Sequence, residues 1–194
     1  MTEECLMKAI YLAGPDVFLP EFDDLIGEKA RLVREHGFLP IYAGVIAYPE
    51  FADKRKTGRA ISAVNEFLMR GSDAIIANLT PFRGIAADTG TVFEVGFMAA
   101  LGKPVFAYTN TPVDHHTRIL RYYSQRAQCE GHPGGATIDG TMIEDFEMVD
   151  NLMIDGAIEN RGGSIVKGTD EAGTLSGDLT AFRVCLKLLN EAAI

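Results

Sequence analysis

The chain alternates short, continuous apolar runs with longer stretches whose apolar residues recur at helical spacing. Residues 8–14 (KAIYLAG) form a run of the first kind, ended by Gly14-Pro15, and predict a buried strand. Over residues 21–35, Phe22, Leu25, Ile26, Ala30 and Val33 repeat with the period of a helix, and Gly37 stands where a helix C-terminus is expected. Residues 38–42 predict a second strand and 58–70 a second helix, after an irregular stretch at 43–57. Residues 73–79 (DAIIANL) predict a third strand, 91–101 a strongly apolar helix and 103–108 a fourth strand. Strands that alternate with helices call for crossover connections. The pattern therefore predicts an α/β fold, a doubly wound parallel sheet of about five strands with helices on both faces. Such sheets bind ligands in the crevice beyond the carboxyl ends of their strands.

The alternation fails over residues 109–176. Gly and His are frequent there, as in GHPGGATIDG (131–140), and a long loop or insertion is expected. Within it, residues 150–158 (DNLMIDGAI) recover an apolar character. Residues 179–193 predict an amphipathic helix that closes the fold.

A length of 194 residues suits a single domain spanning 1–194. With 47% hydrophobic and 23% charged residues the chain has an ordinary globular composition and needs no disulfide or metal staple. Charge narrows the partners. With 18 Lys+Arg against 27 Asp+Glu, the formal charge is −9. Without a basic cluster, nucleic acid and anionic membranes are poor partners, and a small substrate fits better. Cys5, Cys129 and Cys185 are odd in number, widely spaced and in no CxxC pair. They argue against a disulfide framework or zinc site and suit a reducing cytoplasm. The N-terminal MTEECLMKAIYLAG is acidic before a short apolar run, which predicts neither a signal peptide nor a membrane span.

Three segments could carry chemistry. In the turn Gly14-Pro15-Asp16-Val17-Phe18, the glycine would let a ligand approach the backbone, although no GxGxxG or P-loop follows and a plain strand–turn–helix joint reads equally well. Asn65 lies on the inward stripe of its helix with Ile61, Val64 and Leu68. An amide there needs partners, either protein groups or a ligand edge such as a nucleobase. The third segment is Ala87-Asp88-Thr89-Gly90-Thr91-Val92-Phe93-Glu94. Glu94 is the only ionisable group on an otherwise apolar helix, so it must be paired, protonated or functional. Thr91-x-x-Glu94 also fits a capping box, which needs no catalysis. Asp88 adds a second carboxylate, either a solvated loop residue or half of a pair suited to glycosidic-bond chemistry. His115-His116 lacks a third metal ligand at useful spacing, and Tyr122-Tyr123 could stack on a base or simply pack.

The stretches 10–18 (IYLAGPDVF), 72–84 (SDAIIANLTPFRG), 88–105 (DTGTVFEVGFMAALGKPV) and Asn151-Leu152-Met153 together resemble the nucleoside 2-deoxyribosyltransferase family. The resemblance implies a flavodoxin-like α/β homo-oligomer that moves 2-deoxyribose between nucleobases. It implies no metal and no organic cofactor; its partners are 2′-deoxynucleosides and free bases. By position, Glu94 matches the family nucleophile and Tyr11 the tyrosine that holds it. Asp88 matches an aspartate facing the base, and Phe18 an aromatic that packs on the base. Asn65 falls where many members carry aspartate and some asparagine. Asn151 and Met153 match residues that a neighbouring subunit contributes near the 5′-hydroxyl.

Two departures follow. An amide at 65 cannot exchange a proton, which shifts leaving-group protonation to Asp88. The segment 109–150 is longer and more polar than the family core and is a candidate lid over the site. Other functions remain open from sequence. A hydrolase would use water as acceptor, and one acting on 5′-monophosphates would need cations or hydroxyls such as Arg59, Ser62 and Arg83. Gly90-Thr91-x-x-Glu94 alone also suggests a lysine-decarboxylase-like phosphoribohydrolase, but no PGG loop precedes it. A non-catalytic nucleotide sensor would keep Glu94 only as a cap.

Overall fold

The computed structural model describes residues 7–127, 137–138, 141–170, 172–176 and 178–192. In chain order the elements are β1 (Ala9–Ala13), a 3-10 turn (Pro15–Phe18), α1 (Phe22–Glu35), β2 (Leu39–Tyr42), α2 (Lys54–Gly71), β3 (Ala74–Asn78), α3 (Thr89–Ala100) and β4 (Val105–Thr109). They continue with α4 (His115–Ala127), β5 (Thr137–Ile138), β6 (Thr141–Met142), α5 (Leu152–Glu159), β7 (Ile165–Lys167) and α6 (Thr180–Glu191). Five strands form one sheet in the order β2-β1-β3-β4-β7, every neighbouring pair parallel. β5 and β6 make a separate antiparallel pair. This is the flavodoxin-like doubly wound arrangement, and its strand order reverses between β1 and β3, where such sheets open a ligand crevice.

The three central strands are buried at every position, as parallel strands covered on both faces must be. β2 is an edge strand, which is why it tolerates Pro40 opposite Ile10. Alternation along β1 divides the core. Ile10 and Leu12, with Ile76, Phe106 and Tyr108, pack against α1 and α6 through Ile26, Leu32, Val33, Phe182 and Leu186. Tyr11 and Ala13, with Ile75, Ala77, Val105 and Ala107, face α2, α3 and α5 through Leu68, Met69, Val95, Met98, Ile154 and Ile158.

The loop expected over 109–176 is largely structured. It holds α4, the β5–β6 pair, α5 and the fifth strand of the sheet. The strand escaped the sequence pattern because β7 has only three residues, none fully buried. It docks because Gly163 has no side chain: a Cβ there would lie 1.9 Å from the Val105 carbonyl oxygen. Beside it, Ala107 N–H donates to the Ser164 carbonyl at 3.0 Å. The helix expected at 58–70 begins at Lys54, under an N-cap in which Asp53 accepts from the N–H groups of Arg55 and Lys56. That first turn, Lys54-Arg55-Lys56-Thr57, carries no apolar residue and so gave no periodic signal.

Cys5, Cys129 and the GHPGG stretch (131–135) lie outside the described residues. Cys185 is buried, and its Sγ–H donates to the Ala107 carbonyl at 3.1 Å. Burial pushes that thiol up to about 12, which keeps it protonated and unreactive. Among the described residues no helix is long and apolar enough to cross a membrane.

Candidate active site

α3 begins at Thr89, two residues earlier than the sequence pattern suggests, and Asp88 is its cap. Asp88 Oδ2 accepts from Thr91 N–H at 2.9 Å and from Thr91 Oγ1 at 3.1 Å. This corrects the capping-box alternative. Glu94 lies in the second turn, beyond reach of the helix end, and does not cap it. Instead Glu94 Oε1 accepts from the Tyr11 hydroxyl at 2.7 Å, joining α3 to the middle of β1. Burial is the main influence on this carboxyl; the Tyr11 bond opposes it and the nearby charge of Asp88 reinforces it. The result is a Glu94 pKa pushed up to about 7. Tyr11 is fully buried, and burial together with the Glu94 charge keeps its phenol neutral. The structure thus joins Glu94, Tyr11 and Asp88 in one cluster on the α2–α3 face of the sheet, with a carboxylic acid whose charge state changes near neutral pH.

Asn65 is half-buried on α2, and its Oδ1 accepts from the Tyr48 hydroxyl at 3.2 Å. Tyr48 comes from the irregular segment before α2. Burial raises its pKa, and the charge of Glu94 adds to the effect. The Tyr48–Asn65 pair therefore lies within electrostatic reach of the Tyr11–Glu94 pair. Sequence reasoning missed Tyr48, because an aromatic in an unpatterned loop carries no periodic signal.

The turn after β1 splits in two. Asp16 points inward, only 5% exposed, and its Oδ2 pairs with Lys29 Nζ at 2.5 Å. Its Oδ1 accepts from Asn78 Nδ2 at 3.0 Å. These groups crowd Gly14, where a Cβ would meet Asp16 Oδ2 at 2.8 Å and Asn78 Cβ at 2.9 Å. Gly14 thus gives room to the protein's own side chains. Phe18 points outward, 55% exposed, and stacks on Phe82 with centroids 5.3 Å apart. The Arg83 guanidinium lies over both rings, 4.9 Å from Phe18 and 4.5 Å from Phe82. Arg83 holds φ at 54°, an uncommon conformation for a side-chain-bearing residue. Arg59 and Ser62 occupy the outer stripe of α2, beside Glu66, Phe67 and Arg70.

Asn151 caps α5, accepting from Met153 N–H at 3.0 Å and donating to Glu144 at 2.7 Å. Met153 is 71% exposed. One residue before Asn151, Asp150 accepts from Ala87 N–H at 2.8 Å and from Arg118 at 3.3 Å. Arg118 also donates to the carbonyls of Ile85, Val113 and Val149. It thereby ties the loop before Asp88 to the loop before Asn151, a linkage without a sequence signature. His116 pairs with the Glu144 carbonyl, and His115 faces Asp150 at 3.8 Å. Tyr122 and Tyr123 meet edge to face, 5.2 Å apart.

Residues 10–153 match the nucleoside 2-deoxyribosyltransferase family. The chain belongs to that family. The match runs from β1 through α3 to Met153 and so spans the Tyr11–Glu94 pair and the Asp88 cap. Among solved structures, this family member is similar to a 2-desoxiribosyltransferase from Leishmania mexicana, with 27% identity and a TM-score of 0.62 over 93% of this chain and 97% of that one. A conserved protein from Enterococcus faecalis shares the fold at 20% identity, with a TM-score of 0.56 over 96% of this chain and 99% of that one. An uncharacterized protein of Schizosaccharomyces pombe is 28% identical over 170 residues, 82% of this chain and 81% of its own length.

Proposed function

We propose that the protein transfers 2-deoxyribose between nucleobases by double displacement through a covalent intermediate on Glu94. The observation that carries this reading is the Tyr11–Glu94 bond of 2.7 Å, which holds a carboxyl pushed up to about 7 on the sheet face covered by α2 and α3. In its ionised form Glu94 attacks C1′ of a 2′-deoxynucleoside. The C1′–N bond breaks, its electron pair leaves with the base, and Asp88 aids protonation of that base. A second base then attacks C1′ through a ring nitrogen, returns its N–H proton to Asp88 and displaces the carboxylate, so configuration is retained overall. The absent 2′-hydroxyl eases formation of the oxocarbenium-like transition state. Tyr11 fixes the nucleophile's orientation, and Phe18, stacked on Phe82, offers a face to the base. No cofactor enters the scheme.

Transfer requires that water be kept from the intermediate. The described chain leaves Phe18 at 55% and Met153 at 71% exposure, which supports a homo-oligomer in which Asn151 and Met153 reach a neighbouring copy's site. The same exposure supports hydrolysis as a second reading for an isolated chain. One experiment separates them. The protein is incubated with 2′-deoxyguanosine, with and without hypoxanthine, and products are resolved by chromatography. 2′-Deoxyinosine formed only with hypoxanthine establishes transfer. Guanine released at equal rate in both tubes establishes hydrolysis, and no turnover of any 2′-deoxynucleoside removes both readings.

A further inference from the structure

The loop that delivers Asp88 has no regular structure of its own. Residues 79–88 form neither helix nor strand, and Arg83 within them holds its left-handed φ of 54°. α3 fixes only the far side of Asp88, whose Oδ2 is spent on the N–H and Oγ1 of Thr91. The near side is held from elsewhere in the chain. Asp150 Oδ2 accepts at 2.8 Å from the N–H of Ala87, the residue just before Asp88. Arg118 Nε donates to the Ile85 carbonyl at 2.8 Å, and Arg118 Nη2 reaches the same Asp150 oxygen at 3.3 Å. Asp150 and Ala87 are both buried. Asp150 is itself fixed: its N–H donates to Asp155 Oδ2 at 3.0 Å, and its Oδ1 accepts from Asn151 N–H at 2.9 Å. A buried carboxylate whose two oxygens both hold partners is a rigid anchor, and a buried N–H left without it is costly.

We infer that Asp150, clamped by Arg118, is a positioning residue for Asp88 and sets where the Asp88 carboxyl meets the departing base. This rests on the transferase reading above, in which Asp88 aids protonation of the leaving base, and adds the device that holds this acid in place. The cap on Thr91 leaves Asp88 its Oδ1 for the base. The aim of that oxygen follows the backbone at residues 87–88, and this backbone hangs on the Ala87 N–H. Asp150 touches no reacting atom in the scheme. Loss of its carboxylate frees residues 85–87 but leaves the Tyr11–Glu94 bond, which joins β1 to α3, in place. The effect should therefore fall on proton delivery and spare attack by Glu94. A displacement of about 1 Å in a positioned group is enough to cost about 10²-fold in rate.

The test uses two donors that differ in their need for an acid. 2′-Deoxyguanosine releases a base that must gain a proton. 7-Methyl-2′-deoxyguanosine carries a fixed positive charge on its base, so the electron pair of the broken C1′–N bond neutralises the base and no proton is required. Both donors are offered together with hypoxanthine as acceptor. The ratio of guanine to 7-methylguanine released is read by chromatography, after subtraction of a protein-free blank. Asp88→Asn removes the acid and should lower the ratio by about 10²-fold. Asp150→Ala should lower it by about tenfold or more. Arg118→Lys keeps a cation beside Asp150 but cannot bond Asp150 and the Ile85 carbonyl together, and should lower the ratio by less. The ratio is internal to each sample, so a merely structural role, or a loss of folded protein, lowers both products and leaves it unchanged. A ratio that falls in Asp88→Asn but stays native in Asp150→Ala and Arg118→Lys overturns the inference and leaves transfer intact. A native ratio in Asp88→Asn removes Asp88 as the acid, and the inference with it. Absence of release from both donors overturns the transferase reading itself.

Discussion

Two carboxylates lie against the same sheet, on opposite faces, and they are compensated differently. Asp16, on the α1–α6 face, meets the Lys29 ammonium at 2.5 Å and the Asn78 amide at 3.0 Å. Lys29 is itself 2% exposed, 5.4 Å from the Tyr108 ring and 5.6 Å from the Phe182 ring. Glu94, on the α2–α3 face, receives one phenol and feels the like charge of Asp88. The first acid has a cation to balance it and belongs to the architecture. The second has a neutral donor, and burial pushes it up to about 7. The nucleophile role proposed for Glu94 calls for a charge left undercompensated, since an ion pair as tight as Lys29–Asp16 would hold the carboxylate away from carbon.

The largest effect expected from this contrast is on stability at the compensated pair. Lys29→Met strands the Asp16 charge in a dry core and should cost about 3–5 kcal/mol. Urea denaturation would show it as a lowered midpoint with an unchanged slope. Adding Asp16→Asn to Lys29→Met should recover much of that loss, because no buried charge then remains. If Lys29→Met alone is neutral, the pair is not a structural element and the contrast fails.

Glu94 should behave in the opposite way. Its folded pKa of about 7 exceeds the ordinary 4.5. Between those values the folded chain keeps a proton that the unfolded chain has lost, so stability falls as pH rises through this window. The full penalty is about 3 kcal/mol. Glu94→Gln mimics the protonated acid and escapes it. The variant should match the native protein at pH 5 and exceed its stability at pH 8 by up to about 3 kcal/mol, read by thermal unfolding at the two pH values. It should also lose transfer by about 10⁴-fold or more. Stabilisation at pH 8 without loss of transfer would detach the buried acid from the chemistry.

Sequence made one side of this contrast legible and hid the other. Glu94 stood out because an ionisable residue on an apolar helix needs an explanation, Asp88 because it adds a second carboxylate to the same segment, and Tyr11 came with the family resemblance. Asp16 was equally visible as a residue, but nothing local shows that it turns toward Lys29 thirteen positions later rather than toward a ligand. The four strands with continuous apolar runs and the major helices could be read from periodicity. β7 could not, being three residues long and held by backbone contact beside Gly163. Tyr48, Phe82 and Arg118 were hidden for the same reason as Lys29. Each acts through a contact between segments far apart in the chain, and hydrophobic patterning records burial rather than partnership.

The smallest effect isolates the phenol. The Tyr11 bond is the interaction that lowers the Glu94 pKa against burial and Asp88. Tyr11→Phe removes one hydrogen bond to a charged acceptor, worth about 1.5–3 kcal/mol, so the pKa of Glu94 should rise by about one unit or more. Displacement at C1′ needs the ionised carboxylate, and the rate of base release in a single turnover should climb with pH through that pKa. The variant's profile should therefore shift to higher pH by about one unit and recover most of its height on the alkaline side. Had Tyr11 served only to fill space beneath α3, the midpoint would stay near the native value and the height alone would fall. A shifted midpoint with recovered height is the signature of a phenol that tunes the nucleophile, and it has no counterpart at Asp16, where a cation rather than a hydroxyl sets the balance.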